Sequence, residues 1–144
     1  MDGAHSTIPV VKFTPLGRFL SLSENGRVLV RRLRGGLSPE EMQRLCGAAE
    51  SRMGKLCHLG FNCDSPRQFC AKFVYDTLLE TTGYPVGWIE TFRELFSANP
   101  DAPLWFWRVW FFGRIPWERR CVPTTSVLLS ASLVTVFDLK MRAR

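Results

Sequence analysis

The stretch Asp64-Ser65-Pro66-Arg67-Gln68-Phe69-Cys70-Ala71-Lys72-Phe73-Val74-Tyr75 reads as the opening of a helix with a thiol set one turn inside it. Ser65 is placed to accept from first-turn N–H groups. Pro66 suits the first helical position, where no donor is needed, and Gln68 stands where a capping box requires its partner. At about 100° per residue, Phe69, Cys70, Phe73, Val74, Thr77 and Leu78 share one arc, with Lys72, Tyr75, Asp76 and Leu79 elsewhere, so Cys70 is predicted on the buried side. Two readings of that thiol stand side by side. Near a helix N-terminus the positive end of the dipole favours a thiolate, as a nucleophile requires. An unpaired cysteine also packs well as a small hydrophobe.

Outward from this helix, Gly83 is a left-handed cap and Pro85 a stop. Upstream, Lys55 to Cys63 is a loop or short helical turn that brings His58 close in sequence to the helix start, either as a core or loop histidine or as an acid-base partner. Ser38-Pro39-Glu40-Glu41 carries a capping box, and Met42, Leu45, Cys46, Ala49 and Met53 follow at helical spacing. Arg27 to Leu33 alternates as a strand, bounded by the turn signal Glu24-Asn25-Gly26 and by Gly35-Gly36. Earlier still, Thr14 caps a short helix with Pro15 at its first position, and Ile8 to Phe13 forms an edge strand interrupted by Pro9. Downstream, Thr91-Phe92-Arg93-Glu94 repeats the capping box. The periodicity of the run Leu104-Trp105-Phe106-Trp107-Arg108-Val109-Trp110-Phe111-Phe112 fits a buried strand or a buried helix, with helix favoured, and core filling is the default for its aromatics over an apolar or acyl-binding groove or a membrane interface. Ser132 to Phe137 alternates as a closing strand.

The chain has 144 residues, 46% hydrophobic and 22% charged, which suits one globular domain able to bury a core without staples. Its formal charge of +6 is spread over separate arginine clusters, Arg27 to Arg34 and Arg114 to Arg120, which read as solvated faces rather than a nucleic-acid footprint. No secretory leader pattern is visible, and Arg108 interrupts the longest apolar run, which is too short to span a bilayer. A cytoplasmic protein is expected. Five cysteines then read as reduced thiols. Cys57, His58, Cys63 and Cys70 lack the spacing of a zinc site, so neither metal nor cofactor is expected.

Three blocks in order, Ser65 to Tyr75, then Pro85-Val86-Gly87 with Ile89-Glu90-Thr91-Phe92, then Ile115-Pro116-Trp117-Glu118-Arg119, resemble the permuted papain-like cysteine hydrolases of YaeF/YiiX type. That family is related to the NlpC-type peptidases, and the resemblance is greatest to its YebB-like bacterial branch. It runs from about Ala4 to Phe137. It implies an α+β papain-like fold, an antiparallel sheet packed against the cysteine-bearing helix, with Cys70 as nucleophile. It also implies a histidine base on an early strand and a polar third residue on the next. Ala4-His5-Ser6 resembles the segment of that third residue. Glutamate is common there, and lecithin:retinol acyltransferase-like relatives carry histidine, so His5 would orient the base.

Only Met1 to Ala4 precede His5, where the resemblance calls for the base. The chain is therefore expected to be a single permuted domain, residues 1–144, without its first strands. Either the base lies upstream of Met1, or His5 or His58 has taken over. A thiol without a base is a weak catalyst, so low or no activity is expected, with self-association through an uncovered edge. The function expected is amide or ester hydrolysis, or acyl transfer, through an acyl-enzyme on Cys70, with Gln68 assisting the oxyanion. The partner would be a small-molecule, peptide or acyl substrate. The alternatives are a non-catalytic binding domain and a membrane-surface module using Trp105, Trp107 and Trp110.

Overall fold

Two antiparallel strand pairs and six helices build the chain in the computed structural model, which describes residues 9–23 and 26–139. The order is α1 (Leu16–Ser21), β1 (Val28–Leu33), α2 (Pro39–Glu50), α3 (Cys70–Thr82), β2 (Glu90–Thr91), α4 (Phe92–Ala98), α5 (Leu104–Trp110), β3 (Arg120–Cys121), α6 (Thr124–Leu128) and β4 (Leu133–Leu139). β1 pairs with β4 from Val28↔Leu139 to Leu33↔Leu133, with a register shift between Val30 and Arg31. β2 pairs with β3 through Glu90↔Cys121 and Thr91↔Arg120. The architecture is α+β. His5 and Glu24-Asn25 lie outside the described residues; Gly26, next to them, has the positive φ of 67° that the turn signal implied.

Two of the three capping boxes that the sequence predicts form. Ser38 Oγ accepts from Glu41 N while Glu41 Oε2 accepts from Ser38 N, and Thr91 with Glu94 repeats the exchange at α4. Gly83 closes α3 with φ 74°. Val10 bridges Leu56 in an antiparallel sense, which keeps the stretch around Pro9 extended as expected. α1 starts at Leu16, and Pro15, not Thr14, occupies its cap position with no side-chain cap hydrogen bond.

α3 departs from prediction at its start. It begins at Cys70, with Phe69 at the cap position in an extended conformation (ψ 163°) and no side-chain cap hydrogen bond. Backbone pairing wins over local capping. Gln68 N donates to Leu56 O at 3.0 Å, His58 N donates to Gln68 O at 2.7 Å, and Cys63 N donates to Arg120 O at 2.9 Å. These bonds draw residues 63–68 away from helix. Ser65 Oγ accepts from Arg67 N at 3.2 Å, a local turn rather than a helix cap.

The buried face also differs from the predicted arc. Ala71, Lys72, Thr77 and Thr81 are buried, and Cys70 is exposed. The threonines bury without stranded hydroxyls because each bonds back along the helix, Thr77 Oγ1 to Phe73 O and Thr81 Oγ1 to Thr77 O, both at 2.7 Å. Lys72 pairs with Asp76 one turn on. α2 packs along α3, but by Leu45, Ala48 and Ala49; Met42 and Cys46 point out.

The core consists of two adjoining clusters. One joins Phe92, Phe96, Ile115 and Cys121, with Trp107, Phe111 and Trp117 packed on it; the other joins Phe69, Ala71 and Val122, with Ile89 and Val127. Phe61 belongs to both, in edge contact with Phe69 and Trp107 at 5.8 and 6.0 Å between ring centroids. The second cluster seats the start of α3 against the β2–β3 pair. Gly87, at φ 97°, lets α6 approach closely: a Cβ there would lie 2.8 Å from Ser126 Oγ and 3.1 Å from Val127 N.

The aromatic run is the helix α5, as predicted, but it does not fill the core. Trp107 and, just beyond the helix, Phe111 join the core and Trp110 stacks on Phe61, while Trp105 and Val109 are each 71% exposed and Phe112 is 98% exposed. A seven-residue helix lying on the surface has one inward stripe, and too many of its residues are aromatic for that stripe to hold.

Candidate functional site

Cys70 is the first residue of a 13-residue helix, exposed, between buried Phe69 and buried Ala71. The first rung of the α3 ladder is Phe73 N donating to Phe69 O at 2.8 Å. The N–H groups of Cys70, Ala71 and Lys72 precede that rung, and no side chain caps them. An accessible thiol thus sits beside uncapped backbone donors at the positive end of a helix dipole, an arrangement able to attack a carbonyl carbon and receive the oxygen charge.

The loop of residues 54–63 runs alongside. Its backbone is tied to the α3 start through the parallel bridge Cys57↔Gln68, which places His58 next to Gln68 in the chain pairing, two residues from Cys70. The imidazole faces its own loop: Nδ1 accepts from Gly60 N at 3.0 Å and from Asn62 N at 3.4 Å. Accepting at Nδ1 fixes the neutral tautomer with its proton on Nε2. Burial first, then the Arg119 and Arg67 cations, hold the His58 pKa below its ordinary value. No hydrogen bond links His58 to Cys70 Sγ among the described residues.

Gly60 leaves room for the Arg119 and His58 side chains as they stand. A Cβ at that position would come within 2.6 Å of Arg119 Nη1 and 2.9 Å of His58 Cε1. Arg119 Nη1 donates to Gly60 O at 2.9 Å, which clamps the loop to the segment before β3. Phe61 takes a left-handed φ of 55° to reach the two core clusters. Beside the loop, Pro9, Leu56, Cys57, His58 and Arg67 line a hollow of about 390 Å³.

Gln68 is 3% exposed, and its side chain lies against α3 rather than over the helix start as a cap. Nε2 donates to Asp76 Oδ2 at 3.5 Å, and Oε1 is buried with no hydrogen-bond partner. Asp76 also accepts from Lys72 Nζ. Gln68, Asp76 and Lys72 thus form a connected group at the first turns of α3, of which the Lys72–Asp76 pair was not singled out from sequence. The i,i+4 spacing of Lys72 and Asp76 carried the signal.

The other thiols differ. Burial, reinforced by Glu90 and Cys63, pushes Cys121 up to about 12; burial and the neighbouring Asp64 carboxylate raise Cys63. Cys46 is exposed on α2, away from the α3 start. No group of three or more His, Cys, Asp or Glu side chains converges as a metal donor set among the described residues.

The sequence pattern of the permuted papain-like amidase enzyme, YaeF/YiiX, C92 family matches residues 4–137. The uncharacterized protein YiiX of Escherichia coli (strain K12) is 30% identical over 126 residues, which is 88% of this chain and 62% of that protein. The chain therefore spans about three fifths of that relative's length. The crystal structure of metalloprotein yiiX from Escherichia coli O157:H7 aligns with a TM-score of 0.83 at 29% identity, covering 92% of this chain and 73% of that one. The metal is a property of that protein; among the described residues of this chain no donor set for one assembles.

Proposed function

The chain belongs to the permuted papain-like amidase, YaeF/YiiX, C92 family, and we propose that Cys70 is its nucleophile, acting through an acyl-enzyme. The observation that carries this reading is the exposed thiol at the first position of an uncapped 13-residue helix whose flanking residues are buried. Cys70 Sγ attacks the carbonyl carbon of an amide, and the oxygen charge is received by the N–H groups of Cys70 and Ala71. The C–N bond breaks, the nitrogen leaves with a proton as an amine, and water releases the acyl group as a carboxylic acid, restoring the thiol.

Gln68 acts behind this site through its hold on Asp76 rather than as a direct oxyanion donor. His58 shapes the loop, since its only lone pair is engaged by Gly60 and Asn62. The same engagement favours a second reading, a domain that binds an acyl or peptide group and turns over slowly. His5 is the other histidine of this sequence and a candidate for handling the thiol proton.

The two readings part in one experiment. The chain is treated with an activated acyl ester and followed by intact mass and peptide mapping. Acylation of Cys70 at least about tenfold faster than of the exposed control Cys46, abolished in Cys70→Ser, supports the nucleophile. Equal rates at Cys70 and Cys46 would sink it. Fast acylation without release of the acyl group supports the slow-turnover reading.

A further inference from the structure

We propose that the outward face of α5 and the turn after it form a docking surface for an anionic lipid bilayer. The face is built from Trp105, Val109 and Phe112, at i, i+4 and i+7, on the side opposite the inward Trp107 and Phe111. Their exposures of 71%, 71% and 98% leave most of each side chain uncovered by the described residues. Phe106 and Trp110 flank them at about 40% exposure.

The backbone adds an independent observation. Phe112 has φ 51°, in the left-handed region that a bulky residue adopts only under constraint. The constraint is visible: Phe112 N donates to Val109 O at 3.1 Å and Gly113 N to Arg108 O at 2.7 Å, which closes the turn at the end of α5. A strained backbone here holds a phenyl ring out in solvent, 98% exposed among the described residues.

Charge selects the occupant. Residues 102–117 contain Arg108 and Arg114 and no carboxylate. Neither arginine forms an ion pair among the described residues. Beside the turn lies a hollow of about 610 Å³ whose walls include Leu59, Trp110 and Phe112 together with Arg114 and Arg119. Aromatic rings standing at headgroup depth with arginines beside lipid phosphates are the pattern of a bilayer interface. No described helix is long and apolar enough to cross a membrane, so the contact is superficial, made by a tip of a few side chains.

The test uses the full chain with vesicles of phosphatidylcholine alone and of phosphatidylcholine mixed equally with phosphatidylglycerol, followed by sedimentation and tryptophan emission. Binding to the anionic vesicles, with a blue shift and several-fold weakening in 0.5 M salt, is expected. Trp105→Ser and Phe112→Gly each lower the partition about tenfold. Arg114→Glu weakens binding to the anionic vesicles alone. Phe112→Gly also relieves the positive φ, so its thermal stability stays level or rises while binding falls, which separates a lost contact from a lost fold. No association with either vesicle overturns the proposal, as does equal partition of wild type and Phe112→Gly. A concentration-dependent dimer that Trp105→Ser dissociates overturns it in favour of self-association.

Discussion

The Lys72–Asp76 pair of α3 yields an asymmetric prediction. Lys72 has a side chain 8% exposed and Asp76 one 26% exposed, and the pair is joined by Lys72 Nζ donating to Asp76 Oδ2. Removing one partner of a buried pair costs about 3–5 kcal/mol because the other charge is left without compensation. Asp76→Ala strands the better buried ammonium and also deprives Gln68 Nε2 of its acceptor, a 3.5 Å contact at the weak end of the range. About 4 kcal/mol is expected. Lys72→Met strands a carboxylate that water partly reaches, and the methionine fills most of the lysine volume, so about 2 kcal/mol is expected. Urea unfolding reads the difference. With a slope of about 2 kcal/mol/M, the Asp76→Ala midpoint should fall about 1 M below that of Lys72→Met at unchanged slope. The double variant Lys72→Met with Asp76→Leu should recover most of the loss, since an apolar pair of similar volume replaces two buried charges. Equal midpoints for the single variants, or a lower one for Lys72→Met, would refute the claim that burial of the ammonium sets the cost.

Two further predictions concern titration and reactivity. The His58 pKa is held below 6.5 by burial and then by Arg119 and Arg67, so its contribution to stability is whole above pH 6.5 and is lost as pH falls through the lower folded value. Chemical unfolding across pH 5 to 8 should show a steeper acid-side loss in wild type than in His58→Gln; parallel curves would remove the assignment. Cys121, pushed up to about 12 chiefly by burial, should resist a thiol reagent at pH 8 in the native protein and react in urea, whereas exposed Cys46 and Cys70 react in both states. Native labelling of Cys121 at the rate of Cys46 would show that its burial is not maintained.

Local signals were legible where the chain keeps them local. Ser38 with Glu41 and Thr91 with Glu94 cap their helices as read, Gly83 ends α3, and the alternation from Arg27 to Leu33 becomes β1. The α+β class and the family follow from blocks that the sequence displays. What could not be read depends on partners distant in sequence. Periodicity placed Cys70 inside because its arc is apolar, yet the buried face of α3 is polar and satisfied internally through Thr77, Thr81 and the Lys72–Asp76 pair. The aromatic density of Trp105 to Phe112 suggested a core because large rings usually belong in one. Composition carries no information about which side of a two-turn helix faces the protein.

The start of α3 shows how the misplacement of Cys70 and the proposed site share one cause. Ser65-Pro66-Arg67-Gln68 has the residues of a good helix start, and an isolated peptide would use them. In the folded chain Gln68 pairs its backbone with Leu56 and His58 instead, and the helix begins four residues after Pro66 behind a phenylalanine that cannot cap it. The longest described helix is thereby left with uncapped N–H groups, while α2 and the short α4 have complete boxes. A missing cap costs about 1 kcal/mol, and nothing in the local sequence requires the loss. The late start also moves Cys70 from a position one turn inside the helix to its first residue, where the thiol is exposed and stands among those uncapped donors. Restoring the local cap by freeing Gln68 from Leu56 would stabilise the helix end and bury the thiol in the first turn. The tertiary pairing that defeats the sequence signal is therefore the feature on which the proposed chemistry depends.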